Sequence, residues 1–182
     1  MNEGGKLRSA LGGLEAGVLG ALGMLAVFVI AAIADRRSWW LVPNLVATAF
    51  HGPDAYTASF TQSTLTGIGF WLLLYGFLGV IWGVLWGDRP VRRLWMGGAV
   101  SGYLVYMAFR AVLWKTIAPL VSIYAPELQF KIAHVVWGIA LGQSPRYAAS
   151  IARVMTPEEE VPPPLPPVPP REEPPPLPET IF

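Results

Sequence analysis

Long apolar runs separated by short charged segments set the pattern of this chain. The first run, Leu11 to Ala34, stops at Asp35-Arg36-Arg37, and Trp39 and Trp40 follow with side chains suited to a headgroup layer. A second run ends at Gly87-Asp88-Arg89-Pro90, a charged tight turn. A third ends near Lys115, and the fourth and weakest begins near Glu127 and is closed by Pro145. The pattern predicts four membrane spans at about 10–34, 63–86, 91–115 and 127–143, each close to the roughly 20 residues that cross a bilayer core. The first run is too long for a signal-peptide core and is read as a retained helix.

The expected fold is an all-α membrane protein. Residues 1–9 form a cytoplasmic N-terminus, 10–144 a four-helix transmembrane domain, 145–156 an amphipathic surface helix and 157–182 a proline-rich tail. Between the first two spans, the apolar stretch from Trp39 to Phe50, with Pro43, is expected to lie in the membrane interface. After the fourth span, Tyr147, Ile151 and Val154 recur at helical spacing with Arg146, Ser150 and Arg153 between them, the pattern of a surface helix.

Composition agrees with a bilayer as solvent. The 182 residues are 53% hydrophobic and 14% charged, against about 25% charged in a soluble domain. A net charge of +1 gives no electrostatic case for nucleic acid as a partner. With no cysteine, disulfides, thiolate metal sites and cysteine nucleophiles are excluded. Lys6, Arg8, Arg89, Arg92, Arg93, Arg146 and Arg153 fall on one side of the four-span arrangement, and Arg36, Arg37, Lys115 and Lys131 on the other. That bias places both termini in the cytoplasm.

The two halves of the chain look alike. Leu11 to Gly17 aligns with Met96 to Gly102, Val42-Pro43-Asn44-Leu45 with Ala125-Pro126-Glu127-Leu128, and Val80-Ile81-Trp82-Gly83-Val84 with Val135-Val136-Trp137-Gly138-Ile139. Each repeat holds two spans, so the expected arrangement is a pair of parallel two-helix repeats about an axis along the membrane normal. Gly13 and Gly17, Gly83 and Gly87, Gly98 and Gly102, and Gly138 and Gly142 are each four residues apart, and Gly79 lengthens the second stripe. Glycines at this spacing share a helix face and let a neighbouring backbone approach. They are the expected packing residues, and glycine's general abundance in membrane helices is the blander explanation.

The order of these motifs resembles a group of uncharacterised bacterial four-helix integral membrane proteins with internally duplicated two-helix halves. The residues that carry the likeness are Trp40 with Pro43, then His134, Trp137, Gly138, Gly142 and Pro145, and it spans Leu11 to Arg146. The resemblance implies the bacterial inner membrane as location and brings no activity with it.

Candidate chemistry is sparse. His51 and His134 are the chain's histidines, both placed near the outer surface by the expected topology. Together they offer haem or metal ligands, or else interfacial hydrogen bonds. Glu15 stands about a turn inside the first span, where it either snorkels to the surface, pairs with arginines or marks a functional site. Arg110, late in the third span, either snorkels outward or meets Asp35 or Glu127 inside the bundle. No catalytic residue, metal site or cofactor is expected, with haem as the alternative. In the tail, Pro163-Pro164-Leu165-Pro166 recurs as Pro175-Pro176-Leu177-Pro178, giving either a docking strand for an aromatic groove or a spacer. The expected function is that of a non-enzymatic scaffold or accessory subunit of a membrane complex. A small transporter or channel, or a haem-binding redox protein, is the alternative. Expected partners are the lipid bilayer, a membrane protein or a second copy, and a protein for the tail.

Overall fold

A computed structural model describes residues 3–87, 89 and 91–155, without the side chains of Arg92 and Met155. The expected proline-rich tail at 157–182 lies outside the described residues. Those residues are helical, with no strand among them. Helix α1 spans Glu3–Ala34, α2 Leu41–His51, α3 Gln62–Trp86 and α4 Val91–Ala108. A π turn over Phe109–Leu113 carries α4 into α5, Trp114–Ile117; α6, Pro119–Tyr124, α7, Glu127–Leu141, and α8, Ser144–Met155, follow. Three helical stretches, Glu3–Ala34, Gln62–Trp86 and Arg93–Ile117, are long and apolar enough to cross a membrane.

Local chemistry sets the ends of the long helices. Helix α1 stops with Arg36 in the left-handed region, φ 53°. The Arg37 N–H donates back to the Ala32 carbonyl at 2.8 Å and the Arg36 N–H to the Ile33 carbonyl at 3.1 Å. This is the closing motif that glycine usually serves. At the start of α3, the Thr61 N–H donates to Thr64 Oγ1 at 3.2 Å, satisfying a donor that the first turn leaves free.

Glycines decide which helices pair. Helix α1 packs chiefly on α3, and α4 on α7, while α7 and α8 also lie against α1. A side-chain carbon added at Gly13 would collide with the Gly79 carbonyl and stand 2.8 Å from Gly83 Cα. One added at Gly17 would stand 2.6 Å from the Tyr75 carbonyl and 3.0 Å from Gly79 Cα. In the other pair, Gly98 closes on the Gly138 carbonyl and Gly102 on the His134 carbonyl. These are backbone-to-backbone approaches that no larger residue permits. The two crossings differ in register. Gly13 meets the carbonyl of Gly79, whereas Gly98, its partner in the sequence alignment, meets the carbonyl of Gly138, which aligns with Gly83 one turn further on. The remaining stripe glycines are also used: Gly87 lies against Ser9, and Gly142 against the backbone of Trp95.

A cluster of large side chains fills the space between the pairs, with Met24, Phe28, Trp71, Tyr75, Trp114 and Trp137 all 2% exposed or less. The outward surface is an apolar belt that includes Leu22, Ile30, Leu73, Phe77, Val100 and Leu104. The stretch expected in the interface is packed into the bundle. It forms α2, in which Asn44, Leu45, Val46 and Ala47 are completely buried, and it packs on α3. The reason is a close approach: an added carbon at Gly67 of α3 would collide with the Pro43 carbonyl. Helix α2 is therefore part of the bundle wall, with only its edge, at Phe50 and His51, exposed.

Candidate functional site

The most enclosed polar groups meet where α7 crosses the middle of α3. His134 and Tyr75 are both 0% exposed. His134 Nδ1 lies 2.8 Å from the Phe130 carbonyl, one turn earlier on α7. A carbonyl only accepts, so Nδ1 carries the proton. The neutral ring then presents Nε2 as an acceptor, and Tyr75 Oη lies 2.8 Å from it, placed to donate. Both ring nitrogens are satisfied without a counter-ion, the condition under which a polar ring is tolerated in an apolar interior.

Aromatic faces and edges wall the imidazole. Tyr75 and Tyr106 lie edge-on with centroids 5.5 Å away, and Phe109 and Phe130 stand at 6.2 Å. Trp71 stacks on Trp114 behind them, at 6.2 Å and 10° between planes. Phe109 belongs to the π turn, and such turns recur at functional sites.

Polar groups continue from this cluster towards one end of the bundle. Tyr106, 3% exposed, points its hydroxyl at Glu127 Oε1 at 3.5 Å, the outer limit of a hydrogen bond. Glu127 pairs with Lys131 one turn on, 2.7 Å away. Arg110 donates to the Ser122 carbonyl and lines the same small cavity as Tyr106 and Glu127. Arg110 is partly buried there, and among the described residues it forms no ion pair with Asp35 or Glu127.

The expected site residues are therefore dispersed. His134 is not at the outer surface, as the sequence suggested. Its neighbour Phe130 touches Trp71, nine residues into α3, or about 13 Å at 1.5 Å per residue. Helix α7 thus starts well inside the end of α3, and this offset carries His134 to mid-depth. His51 stays exposed, with Nε2 3.1 Å from Thr66 Oγ1. Thr66 and Tyr75 are nine residues apart on α3, so the two histidines belong to separate sites. Glu15 is exposed on the face of α1 that points away from the glycine contacts. Among the described residues, no group of three or more histidines and carboxylates is placed to hold a metal ion.

Two polar sites escaped the sequence reading. Tyr75 stands four residues before Gly79 and eight before Gly83, so it continues the packing stripe, and a polar aromatic there was a usable signal. Asn44 accepts from the Thr64 hydroxyl at 2.6 Å and donates from Nδ2 to the Ala58 carbonyl at 2.8 Å, tying α2, the following loop and α3 together. Its local sequence, within an apolar run after proline, gave no comparable signal. Against known proteins, no family model matches the chain, and neither the curated proteins nor the solved structures yield a match.

Proposed function

We propose that this chain is a four-span integral membrane protein of two parallel two-helix halves. It acts as a non-enzymatic scaffold or accessory subunit of a membrane complex. The observation that carries this reading is the way the spans are joined. Two helix pairs are locked by backbone contact at Gly13, Gly17, Gly79 and Gly83 and at Gly98, Gly102, Gly138 and Gly142. The core between them is filled by aromatic side chains, and the large apolar surface faces outward. Such a body is rigid and offers its outer faces to lipid and to other helices. Helix α7 supplies the fourth span despite its 15 residues, about 22 Å against a core of about 30 Å; the short helix is flanked by α1 and α4. The arginine distribution favours cytoplasmic termini, and the motif resemblance favours a bacterial inner membrane.

A second reading, a small proton-coupled transporter, draws on one observation. The Tyr75–His134 pair sits at mid-depth, and Tyr106, Glu127 and Lys131 lead from it to one end. Proton relays in membranes are built from such residues. Reconstitution separates the two. The scaffold reading expects proteoliposomes to dissipate a pH gradient no faster than empty liposomes, and crosslinking in native membranes to join the chain to a defined neighbour or a second copy. A gradient collapse abolished by His134→Leu would overturn it. Topology is read separately, since the chain has no cysteine. Gly4→Cys and Ser59→Cys are both exposed sites, and an impermeant thiol reagent applied to intact cells is expected to label the second and not the first.

A further inference from the structure

The glycine stripes have a side effect on the two helices that are joined by the shortest connection. Helix α3 is drawn to α1, and α4 to α7, so α3 and α4 make little direct contact although only residues 87–90 separate them. A cleft opens between them. Its mouth, a cavity of about 380 Å³, is lined by Arg89 and Arg93 with Trp82, Trp86, Gly97 and Ser101. A second cavity of about 250 Å³ shares Trp82, Trp86 and Ser101 and continues inward between Leu78, Leu104 and Leu141. The two form one trough, cationic at the membrane surface and apolar below.

We infer that this trough is a binding site for an anionic phospholipid, with the phosphate at Arg89 and Arg93 and an acyl chain lying between α3 and α4. The inference rests only on the reading of the chain as a membrane protein, not on the number of spans or the scaffold role. Three features select this occupant. The first is charge: both arginines at the mouth are exposed, and arginine is suited to phosphate oxygens. The second is length. From Arg93 to Val105 the trough follows α4 for 12 residues, about 18 Å at the helical rise. That is close to one leaflet's half of a core about 30 Å thick. A free phosphate uses only the mouth, and a zwitterionic lipid brings a second cation to the arginines together with its phosphate. The third is an aromatic wall. Trp82 stacks on Trp86 at 4.9 Å, which gives the trough a flat aromatic wall where headgroup passes into acyl chain.

The test uses the full chain in detergent, titrated with phosphatidylglycerol and read by native mass spectrometry. Phosphatidylcholine of the same acyl chains and glycerol 3-phosphate serve as comparison ligands. Phosphatidylglycerol is expected to bind at least tenfold more tightly than either. Arg89→Gln with Arg93→Gln is expected to weaken it about tenfold or more, while Arg36→Gln with Arg37→Gln, the same charge change elsewhere, leaves it unchanged. Gly97→Leu is the steric probe. An added carbon there meets nothing within 4 Å, so the fold tolerates the change while the leucine occupies the trough; binding is expected to fall by a similar factor. Equal binding of phosphatidylcholine, equal loss from both arginine pairs, or full binding by Gly97→Leu overturns the proposal. So does equal binding of glycerol 3-phosphate, which would assign the mouth to a free phosphate, or a dimer mass in place of the lipid adduct. Alkaline extraction of the same membranes tests the membrane reading by itself: release of the chain would overturn that reading, whatever the lipid result.

Discussion

The α1–α3 and α4–α7 crossings share a device and differ in the polar group that each carries. On α3, Tyr75, Gly79 and Gly83 are set against Gly13 and Gly17, with the Tyr75 carbonyl facing Gly17. On α7, Gly138 and Gly142 keep the same approach to α4, and His134, four residues before Gly138, stands as Tyr75 stands before Gly79. The large residue does not force the helices apart, because it gives Gly102 only its carbonyl while its ring crosses to Tyr75 on α3. Backbone proximity and side-chain chemistry are therefore separable on one residue. On α3, Tyr75 does the same: its carbonyl faces Gly17 and its hydroxyl crosses to His134. Each crossing keeps its contact and supplies one half of a hydrogen bond, the hydroxyl from Tyr75 and the ring nitrogen from His134, which makes that pair the polar link between the two.

The comparison breaks most readily at the glycines. Gly83→Leu and Gly138→Leu are each expected to cost about 2–3 kcal/mol, the upper part of the overpacking range, in detergent unfolding curves. Equal losses would mean that both crossings depend on backbone contact, and a tolerant Gly138→Leu would mean that the His134 link holds the second by itself. A smaller effect is expected at the link. His134→Leu strands the Tyr75 hydroxyl and should cost about 1–2 kcal/mol. A double-mutant cycle with Tyr75→Phe should give a coupling of about 0.6–1 kcal/mol, typical of hydrogen bonds between membrane helices. Zero coupling would remove His134 from its linking role. Away from both crossings, Arg36→Gly should stabilise by about 1 kcal/mol, because glycine adopts the left-handed closing position of α1 without strain. Least of all is expected from Gly97→Leu, within about 0.5 kcal/mol, since it faces open space. It sets the baseline against which leucine at Gly83 and Gly138 is judged.

Much of the architecture was legible because hydrophobic length and glycine spacing are local properties. The apolar runs that end at Ala34 and Trp86 correspond to helices with those ends. Which glycine face meets which was not legible, since stripes of the same spacing are interchangeable until the helices are arranged in space. The depth of His134 was hidden for a related reason. Counting from the start of α7 puts it near a surface, and only the offset between α7 and α3, set by Phe130 against Trp71, moves it to the middle. The packing of helix α2 was hidden because a mostly apolar stretch of eleven residues fits an exposed interfacial segment as well as a buried one. The Pro43–Gly67 approach that decides between them joins residues 24 positions apart.

The π turn has a consequence for phase. Leu94, Gly98, Gly102, Tyr106, Arg110, Trp114 and Ala118 recur at a strict interval of four along the α4 to α5 stretch. In a helix of 3.6 residues per turn, each interval of four advances the row by about 40°, so six intervals would carry it about 240° around the axis. A long helix usually absorbs such drift by coiling around its partner. Here the wider turn at Phe109–Leu113 sets the row back within a single turn. Arg110 and Trp114 thereby stay on the side that Tyr106 occupies, and the arginine reaches the Ser122 carbonyl. An inserted residue acts here as a rotational correction, so the distance in sequence between the Gly102 contact and the Trp114 stack is a fixed quantity, sensitive to gain or loss of one position.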